Sequence, residues 1–123
     1  FGAWEGRFFS EINQEAPDKM RTFYRNPEEV DIPESEPFSA FQNRVAGRVR
    51  EIASLHRGGR VILVSHGASI RILFADILSM PIRSIWHVSQ LNTAVNALRF
   101  EDDGFAVLTL VNDTSHLRTE EER

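Results

Sequence analysis

The chain has 123 residues, 41% of them hydrophobic and 26% charged, with a formal net charge of −4. That length suits one ordinary domain, and the composition is that of a globular chain rather than a disordered one. The acidic balance supplies no basic field for nucleic acid, and the lack of cysteine excludes disulfides and thiolate metal sites.

No stretch approaches the ~20 apolar residues of a membrane span, and the opening residues FGAWEGRFF have no basic region before a long apolar one. Neither an anchor nor a signal peptide is expected, no membrane partner follows, and the cytoplasm is the expected compartment. The chain opens at Phe1 without Met, within a turn-like segment, so residues upstream are expected to have been removed, disordered or never included.

In chain order, Ser10-Glu11-Ile12 opens a short helix, and Pro17 at a first-turn position opens a second through Met20, Phe23 and Tyr24. Asn26 to Pro37 carries three prolines and five acidic residues, the composition of a mobile loop. Ser39 can cap the next helix, in which Phe41, Val45, Val49, Ile52 and Leu55 recur at helical spacing until Gly58-Gly59 ends it.

Arg60-Val61-Ile62-Leu63-Val64-Ser65 is a short β-branched apolar run, the pattern of a strand buried on both faces of a mostly parallel sheet. Gly67 then turns the chain into a helix from about Ala68 to Leu78, with Ile70, Leu73, Phe74, Ile77 and Leu78 on one face. A helical turn is expected around Ile82 to His87. Thr93–Phe100 and Phe105–Val111 read as an antiparallel hairpin around Gly104, and Arg118–Arg123 as a frayed tail. A buried parallel strand needs parallel neighbours, and this reading supplies none, so the sheet is expected to be incomplete without upstream sequence or another chain.

Val64-Ser65-His66-Gly67-Ala68-Ser69-Ile70-Arg71 carries the most chemistry. It places a histidine at the carboxyl end of a strand beside a helix N-terminus, where open α/β sheets bind ligands. The first amides of the helix and its dipole favour an anion, and Gly67 allows close approach. His66 can donate to a phosphoryl oxygen and, when cationic, stabilise developing charge. The alternative is a histidine that merely fills a strand end.

Four stretches, in order, resemble the histidine phosphatases of the phosphoglycerate-mutase-like family. Phe1-Gly2-Ala3-Trp4-Glu5-Gly6 is similar to the F-G-x-W-E-G turn, and Pro33 to Val45 to the P-G-G-E-S loop and its helix, ending in Arg44-Val45. Arg60 to Arg71 resembles V-x-x-V-S-H-G-x-x-I-R, and Asn92-Thr93 with Leu110–Leu117 the closing hairpin and tail.

The resemblance covers nearly all of the chain and implies one domain over residues 1–123. It implies a three-layer α/β/α sandwich with a mostly parallel sheet, an antiparallel C-terminal hairpin, and a first strand missing from this chain. It also implies a phosphomonoesterase of the α-ribazole phosphatase or broad-range type, in which one histidine attacks phosphorus while a second histidine, arginines and amides hold the oxygens. The second histidine maps onto His66, with phosphate- or substrate-contacting positions at Gly67 and Ala68, and Phe1 near substrate. No cofactor is implied. The partner is a small phosphorylated substrate or inorganic phosphate, with a homodimer or strand exchange as a route to a complete sheet.

No Arg-His-Gly nucleophile motif occurs, and Pro37 stands where the P-G-G-E-S loop has its serine. A phosphoglycerate mutase is the runner-up. Phe9 in place of the mutases' Lys, and a short acidic Pro-rich loop instead of a long basic insertion, favour a phosphatase. A non-catalytic phosphate-binding remnant is the third reading. A serine hydrolase elbow at Ser65 fails because Leu63 occupies its first glycine position.

His116 reads as part of a capping turn after the last strand, and His56 as a cation at a helix end. Neither His56 nor His87 has a carboxylate at metal-ligand spacing, so no metal is expected. Trp4 is expected to pack and Glu5 to be solvated. Arg7, Arg21, Arg25 and Arg71 are potential anion contacts left outside the site, with Arg71 expected to pair on the surface.

Overall fold

A computed structural model describes residues 1–117; the tail expected to fray lies outside the described residues. Its helices are α1 (Phe9–Glu15), α2 (Pro17–Arg25), α3 (Phe38–Leu55) and α4 (Gly67–Ile77), followed by strands β1 (Val95–Phe100) and β2 (Ala106–Asp113). Short 3₁₀ segments occur at Gly2–Trp4, Pro27–Glu29, Ile82–His87 and Ser115–Leu117.

Pro17 is the first residue of α2, where its missing N–H costs nothing. The cap expected of Ser39 falls elsewhere. Pro37 occupies the N-cap of α3 with φ −58°, and its carbonyl accepts from Phe41 N–H at 2.9 Å. With φ fixed by its ring, Pro37 sets the helix entry without a side-chain bond.

Two apolar clusters hold these elements together. Trp4, Ile12, Met20, Phe23 and Ile32 form one, and Ile72, Ala75, Ile82 and Ile85 the other; Phe38 and Trp86 pack against both. Phe23 is fully buried and its ring lies 4.9 Å from that of Trp86. A fully buried phenylalanine contributes about 1.5–3 kcal/mol by transfer. The Asn26–Pro37 loop is fastened at several points: Ile32 is in the first cluster, Ala3 N–H donates to Pro33 O at 2.8 Å, and Arg44 grips Glu36 with bonds of 2.8 and 2.7 Å.

The expected parallel sheet is not present among the described residues, whose sheet is the two-stranded antiparallel pair β1–β2. Its register runs from Val95 opposite Asp113 to Phe100 opposite Ala106, with irregularities on either side of Ala97. At the turn, Phe105 O accepts from Glu101 N–H at 2.8 Å and Gly104 takes φ +87°. Residues 60–65 join no strand pairing, and Ile62 and Val64 are 91% and 96% exposed. The physical reason is plain: an apolar strand is buried only when neighbours flank it on both sides, and β1–β2 does not hydrogen-bond to it.

The apolar face of α4 is rotated from its expected orientation for the same reason. Ile72, Leu73, Phe74 and Ala75 are buried, while Leu78 is exposed. α4 packs on α3 and on the Ile82–His87 turn. Its Ile70 and Leu73 also line an open groove of ≈ 1180 Å³, shared with Val45, Val49, Ile52, Val61, Leu63 and Val64.

Candidate active site

His66 is the N-cap of α4, with φ −108° and ψ 154°, and its side chain makes no capping bond. Its carbonyl accepts the Ile70 N–H at 3.0 Å, so the amides of Gly67, Ala68 and Ser69 precede the first intrahelical bond. Three unspent donors and the positive end of an 11-residue helix therefore stand beside an exposed imidazole. His66, Gly67 and Ala68 are together because they are consecutive across a sharp change from extended to helical backbone. Ser65 and Ser69, on either side of them, lie at the margin of the open groove.

Phe1 lies elsewhere, in an aromatic wall. Its ring centroid is 6.0 Å from Phe9 and 6.1 Å from Phe23, and Phe23 touches Trp86. Trp86 Nε1 donates to Phe23 O at 2.8 Å, fixing the wall to α2.

The connection between wall and helix terminus is Arg71. The surface pairing expected for it is corrected: Arg71 is half-buried, its Nε donates to Val88 O at 2.7 Å, and its guanidinium lies 5.4 Å from the Trp86 ring centroid. A Cβ added to Gly67 would stand 2.9 Å from Arg71 Nη1. The signal was in the spacing, because residues four apart on a helix share a face and the later side chain leans back over the earlier turn.

The loop that receives Arg71 is itself held by Asn112, whose Oδ1 accepts from Leu91 N–H at 2.7 Å and whose Nδ2 donates to Ser89 Oγ at 3.3 Å. Beside it, Gln90 Oε1 is buried without a hydrogen-bond partner among the described residues. His116 falls in the Ser115–Leu117 turn, capped by Asp113, which accepts from Ser115 N–H at 3.1 Å and Ser115 Oγ at 3.0 Å. His56 is the C-cap of α3. No group of three or more His, Cys, Asp or Glu able to hold a metal occurs among the described residues, and no described helix is long and apolar enough to cross a membrane.

Compared with known families, residues 1–113 match the model of the histidine phosphatase superfamily, branch 1. The chain belongs to that superfamily. This histidine phosphatase chain is 26% identical over 116 residues to phosphoserine phosphatase 1 of Hydrogenobacter thermophilus, covering 94% of the chain and 54% of that protein. It is 29% identical over 117 residues to phosphoglycerate mutase-like protein 4 of Arabidopsis thaliana, covering 94% of the chain and 50% of that protein.

Among solved structures it is similar to Bacillus stearothermophilus YhfR, with a TM-score of 0.87 at 27% identity, over 96% of the chain and 58% of that structure. The chain thus spans about half the length of the curated relatives it matches. The α/β fold, the enzyme superfamily and the phosphatase and mutase character of the relatives agree with the resemblance read from the four motifs.

Proposed function

We propose that the protein containing this chain is a phosphomonoesterase that works through a phosphohistidine intermediate, with His66 as the second pocket histidine. The observation that carries this reading is the placement of His66 at the N-cap of α4, beside three donors that no helix bond uses. In the reaction, a histidine nitrogen contributed from outside this chain forms a bond to phosphorus as the ester P–O bond breaks. Water then displaces the histidine and releases inorganic phosphate. His66 and the amides of Gly67 and Ala68 hold the phosphoryl oxygens throughout, and Phe1 supplies an aromatic surface to the rest of the substrate.

The substrate class is a small phosphorylated molecule, as in the relatives named for phosphoserine and α-ribazole phosphatase activity. Catalysis needs no cofactor, since the nucleophile and the oxyanion donors are all protein groups, and the absence of cysteine suits a reducing cytoplasm. Residues 61–65 take the place of a parallel strand in a three-layer α/β/α sandwich, within the single domain that the chain forms. Support for that placement is the apolar groove, in which α3 and α4 turn Val45, Val49, Ile52, Ile70 and Leu73 toward the same run. A strand from outside this chain, or from a second copy by exchange, pairs with it.

Phosphoglycerate mutase is the second reading, favoured by the mutase-like relative from Arabidopsis. Phe9 and the short loop between α2 and α3 favour hydrolysis. A phosphate-binding remnant without turnover is the third.

The test is intact mass on purified material, followed by turnover of a generic aryl phosphate with and without vanadate. A mass above that of the 123 residues, with vanadate-sensitive turnover lost in His66→Ala, supports the phosphatase. Transfer of phosphate between hydroxyls of phosphoglycerate at a rate far above hydrolysis supports the mutase. Phosphate binding without turnover leaves the remnant.

A further inference from the structure

We propose that Arg71 is a positioning residue for the phosphate pocket: it clamps the first turn of α4 to the 86–90 loop and so sets where the Gly67 and Ala68 amides stand. The proposal rests on the reading of His66 and its neighbouring amides as a phosphate site.

Arg71 differs from the other partnered arginines. Arg7, Arg21, Arg44, Arg48, Arg50 and Arg99 each meet a carboxylate and Arg57 meets the Asp102 carbonyl, all with exposed side chains, whereas Arg71, alone among the described arginines, is half-buried, and it meets both a carbonyl oxygen and an aromatic face. A guanidinium that is half-buried near the positive end of a helix is poorly placed for helix stability alone. What it does have is geometry. Nε is tied to Val88 O, the plane is held by Trp86, and Nη1 fills the space a Gly67 side chain would take.

The clamp is therefore continuous with the rest of the fold. Trp86 is bonded to α2 through Phe23 O, and the loop carrying Val88 is bonded to β2 through Asn112. Glycine at position 67 is required on two counts, since its bare Cα admits both an approaching phosphoryl group and the guanidinium. Displacement of catalytic groups by about 1 Å costs on the order of a hundredfold in rate, so a side chain that fixes this turn affects turnover without touching substrate.

The experiment is steady-state turnover of an aryl phosphate by the full-length protein carrying this chain. The variants are Arg71→Met, Arg71→Lys, Gly67→Ala, the Gly67→Ala/Arg71→Met double variant, and His66→Ala as reference. Arg71→Met is expected to lower kcat by about tenfold or more with a smaller change in KM. Arg71→Lys should recover part of that loss, because an ammonium can still donate to Val88 O. Gly67→Ala should be comparably slow, and the double variant no slower than the worse single one, because both substitutions break one contact.

Should Arg71→Met fail to fold, the same cycle is run with Arg71→Lys. Arg71 variants that keep kcat within about twofold, or losses that multiply with that of Gly67→Ala, overturn the proposal while loss of turnover in His66→Ala leaves the phosphate-site reading intact. Turnover that survives His66→Ala, or is absent from the unmodified protein, removes that reading and this inference with it.

Discussion

Gly2 shows how much a single residue can decide in this fold. It has φ +54°, and a Cβ there would overlap the Pro33 carbonyl oxygen and the Ser35 nitrogen. The turn that carries Phe1 and Trp4 docks on the 33–35 loop through that contact and through the Ala3–Pro33 hydrogen bond. Gly2→Ala is expected to cost more than about 1 kcal/mol, since both the backbone conformation and the space are closed to alanine. A urea titration following tryptophan fluorescence would measure it, and an unchanged midpoint would mean that the docking is dispensable. Trp86 is a second such residue. Trp86→Phe keeps the ring against Phe23 but leaves the Phe23 carbonyl without its donor, for an expected loss of about 1–3 kcal/mol in thermal unfolding. At this scale the sequence was informative about identity more than contact. The place of His66 and Gly67 at the start of α4 was legible from their position after an apolar run, and Trp4 packs as expected. Arg71 was misjudged because its partners, Trp86 in the Ile82–His87 turn and Val88 just after it, are brought to it by tertiary packing, which no local pattern specifies.

Elements were legible wherever their own periodicity or punctuation set them. Pro17 opens α2, α3 runs through its apolar repeat, and the hairpin turns at Gly104. The buried faces were legible in part: Met20 and Phe23 of α2 and Leu73 and Phe74 of α4 are buried as expected, whereas Ile72 and Ala75 are buried and Leu78 exposed because that depends on what lies opposite. In α4 the ring of Phe74 is almost wholly buried and Leu78 is exposed, so Phe74→Ala is expected to cost about 3–5 kcal/mol, whereas Leu78→Ala stays within about 0.5 kcal/mol. Equal effects of the two in thermal unfolding would mean that the face had been misassigned. The link from the Pro-rich loop to α3 carries a pH dependence. The hydrogen bond from Arg44 holds the Glu36 carboxyl below its ordinary value of 4.5, against a smaller opposing effect of desolvation. A carboxyl whose folded pKa is lowered contributes stability above its unfolded pKa and loses it as pH falls through the folded one. The urea midpoint is thus expected to fall below pH 4.5, and Glu36→Gln to flatten that decline. Parallel curves for the two proteins would exclude the pair as a contributor. The effect is small, because both side chains are substantially solvated.

For the molecule as a whole, the governing feature is apolar surface without a cover. Ile62 and Val64 stand almost fully exposed beside a groove of ≈ 1180 Å³ into which α3 and α4 direct their remaining apolar residues. Contiguous apolar surface of this kind, next to backbone groups that no strand pairs, is a template for another strand. The 123-residue chain expressed alone is therefore expected to self-associate, with a light-scattering mass above that of one chain and with strong binding of a hydrophobic dye. Replacing both Ile62 and Val64 by lysine should return it to one chain's mass, because edge lysines block strand addition. It should leave near-ultraviolet dichroism unchanged, because neither side chain belongs to the clusters around Phe23 and Ile72. In the full-length protein the same pair of substitutions should abolish folding, if residues 61–65 there occupy the middle of a sheet. A monodisperse monomer of the unmodified 123 residues would show that the groove closes on itself. Tolerance of both lysines by the full-length protein would remove the parallel strand from its architecture.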